Sequence, residues 1–288
     1  SVSPLDKIIV AFAGPLFSLM LAVVAGFLVW GMGKPQDSIK SNVVGGIIHE
    51  SPAEGILVPG DKILKVDGDP VDWYVGKVFD DIRTRIMLTK GDTIEFEIER
   101  DGKVMVVNTE FDIHETGLFE RRALPDPGIT APGPAIIGSL AGGKGESPAK
   151  KAKLEVGDQI LKVNGKEVFG TYHVSQLIRD NLYKTSTFTL RRGDDVLEIE
   201  VTPVKPKGDA YKDPMVGIAW DRRAGVETEI TYPNPWEQVR DSLRTMWMTI
   251  KVISSPDSNI GPDQLAGPVG IARTKFLLLQ EEHGWLRV

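Results

Sequence analysis

The chain has 288 residues, of which 41% are hydrophobic and 26% are charged, an ordinary composition with enough length for two or three globular domains. Its formal net charge of −6 argues against nucleic acid as a partner, because phosphate binding requires a concentrated basic face and none is legible in the sequence. There is no cysteine, which excludes disulfides, thiolate catalysis and cysteine-rich zinc sites.

The first predicted element is an apolar helix. Ile8–Met32 is a run of 25 residues without a charge, flanked by Lys7 and Lys34. As a helix it would be roughly 37 Å long, whereas a bilayer core needs only ~30 Å. Trp30 suits an anchor at the membrane–water interface. We predict a transmembrane helix within residues 1–34, with a signal peptide or a buried core helix as the alternatives.

One short sequence then occurs twice. Gly60–Val71 and Gly157–Val168 align at a constant offset of 97, and eight of their twelve positions are identical. Because solenoid repeats run for only about 20–50 residues, this spacing indicates a duplicated small domain. Each copy is typical of a short strand that ends in a tight turn, with Asp67-Gly68 or Asn164-Gly165 where positive φ is needed.

Further elements are predicted on both sides of each copy. A Ser-Pro-Ala sequence before each copy, at Pro52 and Pro148, predicts a turn into a short helix, since proline is tolerated at an early helical position. Alternating strands after each copy predict two hairpins, Thr93–Glu110 and Thr187–Pro203. Between copy and hairpin, apolar residues at helical spacing predict a longer helix, with Val78, Ile82 and Ile86 in the first case and Val174, Leu177 and Ile178 in the second.

This order of elements, repeated within about 90 residues, resembles the PDZ family in its circularly permuted bacterial form. Both copies carry the Ser-Pro-Ala and Gly-Asp-x-Ile-x-x-Val-Asp/Asn-Gly sequences that are most typical of that family. The first copy departs from it in a connecting loop, where Leu-Val-Pro precedes Gly-Asp. The resemblance implies an α+β fold with two β-rich, circularly permuted PDZ-like domains in tandem, at residues 43–130 and 131–222.

The resemblance also implies a peptide-binding groove in each domain, where an extended chain or a C-terminus adds as a strand beside the longer helix. The groove helices would contribute the six apolar residues given above. A glycine followed by an apolar residue, with free backbone N–H groups, would form the carboxylate-binding loop, and two pairs qualify: Gly128-Ile129 and Gly217-Ile218. The sequence leaves open which domain Gly128-Ile129 serves. Domains that act only as spacers or gates are the alternative.

No catalytic site is predicted in this chain. A metalloprotease helix needs His-Glu-x-x-His, and both His49-Glu50 and His114-Glu115 lack the second histidine, so we interpret them as surface residues. Gly142–Gly145 lacks the strand–loop–helix context of a phosphate-binding loop. We therefore assign no catalytic residue, no metal ligand and no cofactor to this segment.

The last predicted element is an amphipathic helix over Asn234–Ser255, with Asn234 as its cap and Pro235 in its first turn. Such a helix lies against a membrane or packs on a neighbouring domain, and we predict a membrane-associated region over residues 233–288. Its apolar residues fall on one stripe, namely Trp236, Val239, Leu243, Met246, Trp247 and Ile250.

Two flanking sequences are similar to the bacterial site-2 protease family of intramembrane zinc metalloproteases. Phe12–Ala22 resembles the opening of that family's second membrane helix, with Ser18 where the family often has Asn. Leu265–Ala272 resembles the element that follows its periplasmic PDZ region, and the end of the chain resembles the approach to the next membrane helix. The family's zinc ligands, in His-Glu-x-x-His and Leu-Asp-Gly, are absent. The resemblance thus implies the middle of a longer, zinc-binding protein, cut at both ends.

The resemblance implies that the whole protein cleaves transmembrane protein substrates, while the PDZ-like domains bind or size-filter the substrate or its periplasmic C-terminus. It places the chain in the bacterial inner membrane, with the lipid bilayer as a partner and the PDZ-like domains on the periplasmic side. The alternative is a non-catalytic, membrane-anchored tandem-PDZ adaptor that binds peptides.

Overall fold

The computed structural model describes residues 4–76, 80–111, 125–141, 147–205 and 213–255. Among these residues the chain divides into two compact units, the first made of residues 4–37 and 228–255 and the second of residues 38–227. In chain order the elements are α1 (Pro4–Met32), β1 (Lys34–Ser38), β2 (Gly46–Ile47), β3 (Lys62–Val66), β4 (Asp69–Pro70), α2 (Ile82–Leu88), β5 (Thr93–Arg100), β6 (Lys103–Glu110), β7 (Ile129–Thr130), β8 (Ala135–Leu140), α3 (Pro148–Lys151), β9 (Gln159–Val163), β10 (Lys166–Glu167), α4 (Thr171–Asp180), β11 (Ser186–Arg192), β12 (Asp195–Val201), β13 (Ile218–Trp220), β14 (Glu227–Thr231) and α5 (Pro235–Ile253).

The first unit begins with the apolar helix α1. Its Ala13–Met32 part has a mean hydropathy of 2.0 and is the one helix in the described ranges that is long and apolar enough to cross a membrane. Only 6% of the most apolar window is buried, whereas the core helix of a soluble protein is mostly buried. The buried-core alternative is therefore disfavoured, which leaves a membrane span or a signal sequence.

The same unit contains the amphipathic helix α5 and the ribbon formed by β1 and β14. As predicted, Asn234 caps α5, and a capping box is complete because the Glu237 carboxylate accepts from the Asn234 N–H at 3.0 Å. Gln238 Nε2 donates to the Gly26 carbonyl of α1 at 3.1 Å. The six apolar stripe residues are between 46% and 76% exposed, so no described residue of this unit covers the stripe.

The second unit contains the two copies, and we call residues 43–130 the first module and residues 131–222 the second module. In the first module, β3, β4, β5 and β6 form a sheet in the order β4-β3-β5-β6, and β2 pairs with β7. In the second module the sheet order is β12-β11-β9-β8-β13. The predicted hairpins and tight turns are confirmed, with Asp67 and Asn164 at φ near +50°. Each module encloses its own apolar core.

The repeated Gly-Asp places a buried carboxylate in each module. The Asp61 carboxylate pairs with Arg100 at 2.6 and 2.7 Å, and the Asp158 carboxylate pairs with Arg192 at 2.7 and 2.8 Å. Both carboxylates also accept a backbone N–H from the loop that precedes them. Each pair ties that loop to the hairpin of its own module, so the repeated Gly-Asp has a structural role in both modules.

Two predicted helices differ from the structure. The Ser-Pro-Ala sequence starts a helix only in the second module, where Ser147 caps α3. In the first module it forms turns, because Gly55 adopts φ of +81° and leaves the helical conformation. The first groove helix, α2, begins at Ile82, and Val78 lies outside the described residues.

Candidate peptide-binding site

The second module has a groove between helix α4 and strand β13. Its volume is about 370 Å³. Strand β13 is the last strand of its sheet, and among the described strands only β8 pairs with it. The groove is lined on the helix side by Tyr172, Ser175, Ile178 and Arg179, and on the strand side by Asp213, Pro214, Met215, Val216, Gly217, Ile218 and Trp220.

The backbone of Ile218 faces this groove. In the antiparallel register Ile218 stands opposite Leu140, while the Ala141 N–H donates to the Gly217 carbonyl at 2.8 Å. Because hydrogen-bonding direction alternates along a strand, this pattern turns the N–H and C=O of Ile218 away from β8. No described residue hydrogen-bonds with them. They form an open strand edge beside a helix, which is the geometry for adding a peptide strand.

The loop before β13 needs glycine. Gly217 has φ of +82°, and a Cβ there would lie 2.7 Å from the Cβ of Ser147. The loop is also fixed from behind, because the Ala149 N–H donates to the Val216 carbonyl at 3.0 Å. The Gly217 N–H has no hydrogen-bond partner among the described residues. Gly217 itself lines the groove.

The structure therefore brings three predicted residues, Ile178, Gly217 and Ile218, to one groove. Val174, Leu177 and Ile178 lie on α4 as predicted, and all three belong to the buried core of the second module, but of these only Ile178 also lines the groove.

Sequence reasoning missed several polar and aromatic residues of the groove. Tyr172, Ser175 and Arg179 are three and four residues apart, so helical spacing alone places them on one face. The Arg179 Nε lies 3.1 Å from an Asp213 carboxylate oxygen, and its guanidinium lies 6.0 Å from the Tyr172 ring centroid. Trp220 and Met215 complete the opposite wall. Met215 and Trp220 could have been predicted from the sequence, because each lies two residues from the Gly217-Ile218 pair.

The groove helix is supported by the first module. The His49 N–H donates to the Tyr172 hydroxyl at 3.3 Å. A Cβ on Gly46 would lie 3.0 Å from the backbone nitrogen of His173, so β2 and the start of α4 approach closely. Burial lowers the pKa of His173, and the charge of Lys166 lowers it further. The two modules thus share a tight polar and backbone contact at one end of the groove.

The Gly128-Ile129 pair, which the sequence left unassigned, lies in the first module. Strand β7 pairs with β2, with Ile129 opposite Ile47, and the Ala53 N–H donates to the Pro127 carbonyl at 2.9 Å. The last contact matches the one between Ala149 and Val216 in the second module. Ile82, Ile86 and Ile129 are all buried in the core of the first module.

The described residues contain no group of three or more histidine, aspartate or glutamate side chains that could hold a metal ion. His49 Nδ1 lies 3.0 Å from Glu54, which gives a pair and not a metal site. His114 and His283 lie outside the described residues. Among the described residues, therefore, no set of side chains fits a zinc ion.

The first comparison concerns the second module, where residues 142–192 match the family described as "PDZ domain". Among solved structures the chain is similar to the PDZ domain of the SdrC-like protein from Listeria monocytogenes, with 20% identity and a TM-score of 0.26. That similarity covers 32% of this chain and 90% of the other.

Curated relatives extend far beyond the PDZ match. "Regulator of sigma-E protease RseP" of Escherichia coli is 25% identical over 91% of this chain, and "Protease RseP" of Yersinia pestis is 25% identical over 93%. A "Putative zinc metalloprotease" of Treponema pallidum is 25% identical over 88%. The predicted resemblance to the site-2 protease family is therefore confirmed. The chain spans 54–60% of the length of these relatives.

Proposed function

We propose that this chain is the tandem-PDZ region of a membrane-embedded zinc metalloprotease that performs regulated intramembrane proteolysis. The support is that relatives named as RseP proteases and zinc metalloproteases match about nine tenths of the chain. The zinc belongs to the whole protein in this proposal. The role of the present region is to recognise or filter a transmembrane protein substrate through its PDZ modules.

Both modules are, in our proposal, circularly permuted PDZ domains. In each module the strand that carries the Gly-Ile pair comes last along the chain and pairs with the first strand, β7 with β2 and β13 with β8. The equivalent contacts to the Ser-Pro-Ala turn, at Pro127 and Val216, support the same alignment. A permuted PDZ domain has this chain order, because its carboxylate loop follows its hairpin.

The second module binds the C-terminus of a peptide in this proposal, and the open backbone of Ile218 is the observation that carries it. An incoming strand would pair with the N–H and C=O of Ile218, and its carboxylate would meet the N–H of Gly217. The apolar side chains of Ile178 and Val216 favour an apolar last residue. Backbone pairing supplies affinity, and this apolar contact supplies specificity.

The membrane completes the proposal. Helix α1 crosses the inner membrane, and the exposed apolar stripe of α5 lies in the membrane surface. The Gln238 contact to Gly26 supports this placement, since it holds the start of α5 beside the apolar helix. The PDZ modules are then on the periplasmic side, where they meet the periplasmic C-terminus of a substrate.

Peptide binding is tested with the full chain in lipid nanodiscs and a pool of random heptapeptides with free carboxyl termini. We expect retention of peptide, and at least a tenfold loss when the pool is amidated. Met215→Asp, in the exposed wall of the groove, should reduce retention tenfold, and Ile178→Asp should abolish it. Val196→Asp is the matched control, because Val196 is exposed on β12 of the same module, away from the groove. Equal retention by parent and both groove variants contradicts peptide binding.

The proposed protease is tested by the reading frame on both sides of this segment. Zinc chemistry requires His-Glu-x-x-His upstream and Leu-Asp-Gly downstream, as in the resembling family. Their absence from the full-length gene product would contradict the protease and leave a tandem-PDZ adaptor.

A further inference from the structure

The two modules differ in the segment that leads into the groove helix. The repeated sequence ends at Val71 in the first module and at Val168 in the second. The first fully buried apolar residue of the groove helix is Ile82 in the first module and Val174 in the second. Ile82 lies eleven residues after Val71, whereas Val174 lies only six residues after Val168. The first module therefore has five additional residues here, and Tyr74 lies in that segment.

Tyr74 bridges the two walls of the first groove. Its backbone carbonyl accepts from the Arg83 N–H of α2 at 3.3 Å, and its hydroxyl donates to the Ile129 carbonyl of β7 at 3.0 Å. The Ile48 N–H donates to the Gly128 carbonyl at 2.7 Å, so the N–H and C=O of Ile129 point away from β2. Tyr74 thus occupies the carbonyl that an added peptide strand would use.

Asp126 occupies the neighbouring position. Its carboxylate accepts from the Gly128 N–H at 2.8 Å, the group that would receive a peptide carboxylate. Burial raises the pKa of the Tyr74 hydroxyl well above its usual value, and the negative charge of Asp126 raises it further. The hydroxyl therefore stays a neutral donor, and a second carboxylate at Gly128 would meet the charge of Asp126.

The second module has neither group. Gly128 and Gly217 are equivalent, because the carbonyl of each accepts a hydrogen bond from the N–H of a residue in or just after the paired strand. Two residues before this glycine, the first module has Asp126 and the second module has Met215. No described residue bonds to the Gly217 N–H or the Ile218 carbonyl, and the groove between α4 and β13 is open. One set of backbone groups is satisfied internally, whereas the other is exposed to a ligand.

We propose that Tyr74 and Asp126 close the groove of the first module from within, so that the tandem has one open peptide site and one latent site. The latent site is a strand edge for a peptide C-terminus, the same ligand chemistry as in the second module. The inference rests on the proposed function only for that ligand class. The first module then serves to support α4 of its neighbour.

The test uses the full chain in nanodiscs with the pool of free-carboxyl heptapeptides, in a Met215→Asp background that places a charge in the exposed wall of the second groove. We expect this background to retain about a tenth of the peptide that the parent retains. Adding Tyr74→Phe and Asp126→Ala should restore retention at least tenfold, and Tyr74→Phe alone should restore part of it while keeping the ring in the core. The matched control adds Tyr183→Phe and Asp194→Ala, at exposed positions in the second module, and should restore nothing.

Two results overturn the inference. Retention by the Met215→Asp chain at the level of the parent shows a first groove that is already open. Retention by the Tyr74→Phe/Asp126→Ala/Met215→Asp chain no higher than in its background, with thermal unfolding intact, shows that these groups do not close it. If the parent itself binds no peptide, the proposed function fails, yet a gain in the opened variant still supports the latent site.

Discussion

Replacing Asp158 by Asn tests whether the repeated aspartate is the main polar anchor of the second module. The side chain is 0% exposed and makes two charged hydrogen bonds with Arg192. Breaking a buried ion pair costs about 3–5 kcal/mol when the partner is left uncompensated. Arg192 keeps partial solvent access and still reaches Glu155 and the Lys153 carbonyl, so we expect the lower value of about 2–3 kcal/mol.

The assay is hydrogen exchange in the full chain, read at the buried strands β9 and β11. Since 1.4 kcal/mol is tenfold in an equilibrium constant, exchange there should accelerate about 30- to 150-fold in Asp158→Asn. Glu155→Gln is the matched control, because Glu155 contacts the same arginine from an exposed position and such a pair contributes at most ~1 kcal/mol. The amides of β3 and β5 in the first module should change in neither variant.

The pH dependence of stability is a second test of the Asp158–Arg192 ion pair. Burial alone would raise the pKa of Asp158, but the hydrogen bonds from Arg192 and from the Glu155 N–H outweigh it and hold the pKa below its ordinary value of 3.8. The stabilisation is therefore complete above that value and is lost as pH falls below it. Protection of β11, corrected for intrinsic exchange, should fall in the parent as the pH is lowered below 3.8, and should fall less in Asp158→Asn. Exchange that Asp158→Asn changes no more than Glu155→Gln would refute the reasoning.

Three further predictions concern the groove loop, the module contact and the membrane helix. Gly217→Ala should abolish peptide retention because its Cβ would meet Ser147, whereas Gly193→Ala, with open space around it, should cost only about 1 kcal/mol of stability and leave retention intact. Because burial lowers the pKa of His173, its contribution to stability is present above pH 6.5 and is lost as pH falls; thermal unfolding from pH 7 to 5 should show this loss, and His173→Gln should flatten it. Since the chain has no cysteine, a spin label at Trp247→Cys should be accessible to oxygen in the bilayer, and one at Thr245→Cys to a water-soluble relaxant; equal accessibilities would contradict a membrane-lying α5.

Much of the local structure was predictable because it depends on neighbouring residues. Asn164-Gly165 predicts its turn since these residue types tolerate positive φ, and the α5 cap follows from Asn234 three residues before Glu237. The absent helix at Pro52 was not predictable from the Ser-Pro-Ala sequence alone. That sequence is the same in both copies, and Gly55 decides the outcome one turn later.

The candidate site was predictable only in part. Gly217-Ile218 is recognisable from its residue types, and Ile178 from helical spacing. The spacing could not separate Ile178, which lines the groove, from Val174 and Leu177, which do not, because all three are apolar and all three belong to the core of the second module. The position of β13 relative to α4 determines which of these three side chains lines the groove.

The sequence by itself determined the apolar helix, the duplicated module and the resemblance to site-2 proteases, since each is written in composition, repetition or short motifs. Only the tertiary structure decided that the strand carrying Ile129 pairs with β2 of the first module and that the Tyr74 hydroxyl reaches the Ile129 carbonyl. Tyr74 and Ile129 are 55 positions apart in the sequence. Their hydrogen bond can form because β7 pairs with β2, which brings Ile129 close to Tyr74. Local patterns carry no information about such long-range pairing, so the internal hydrogen bonds of the Ile129 carbonyl and the Gly128 N–H appear only in the fold.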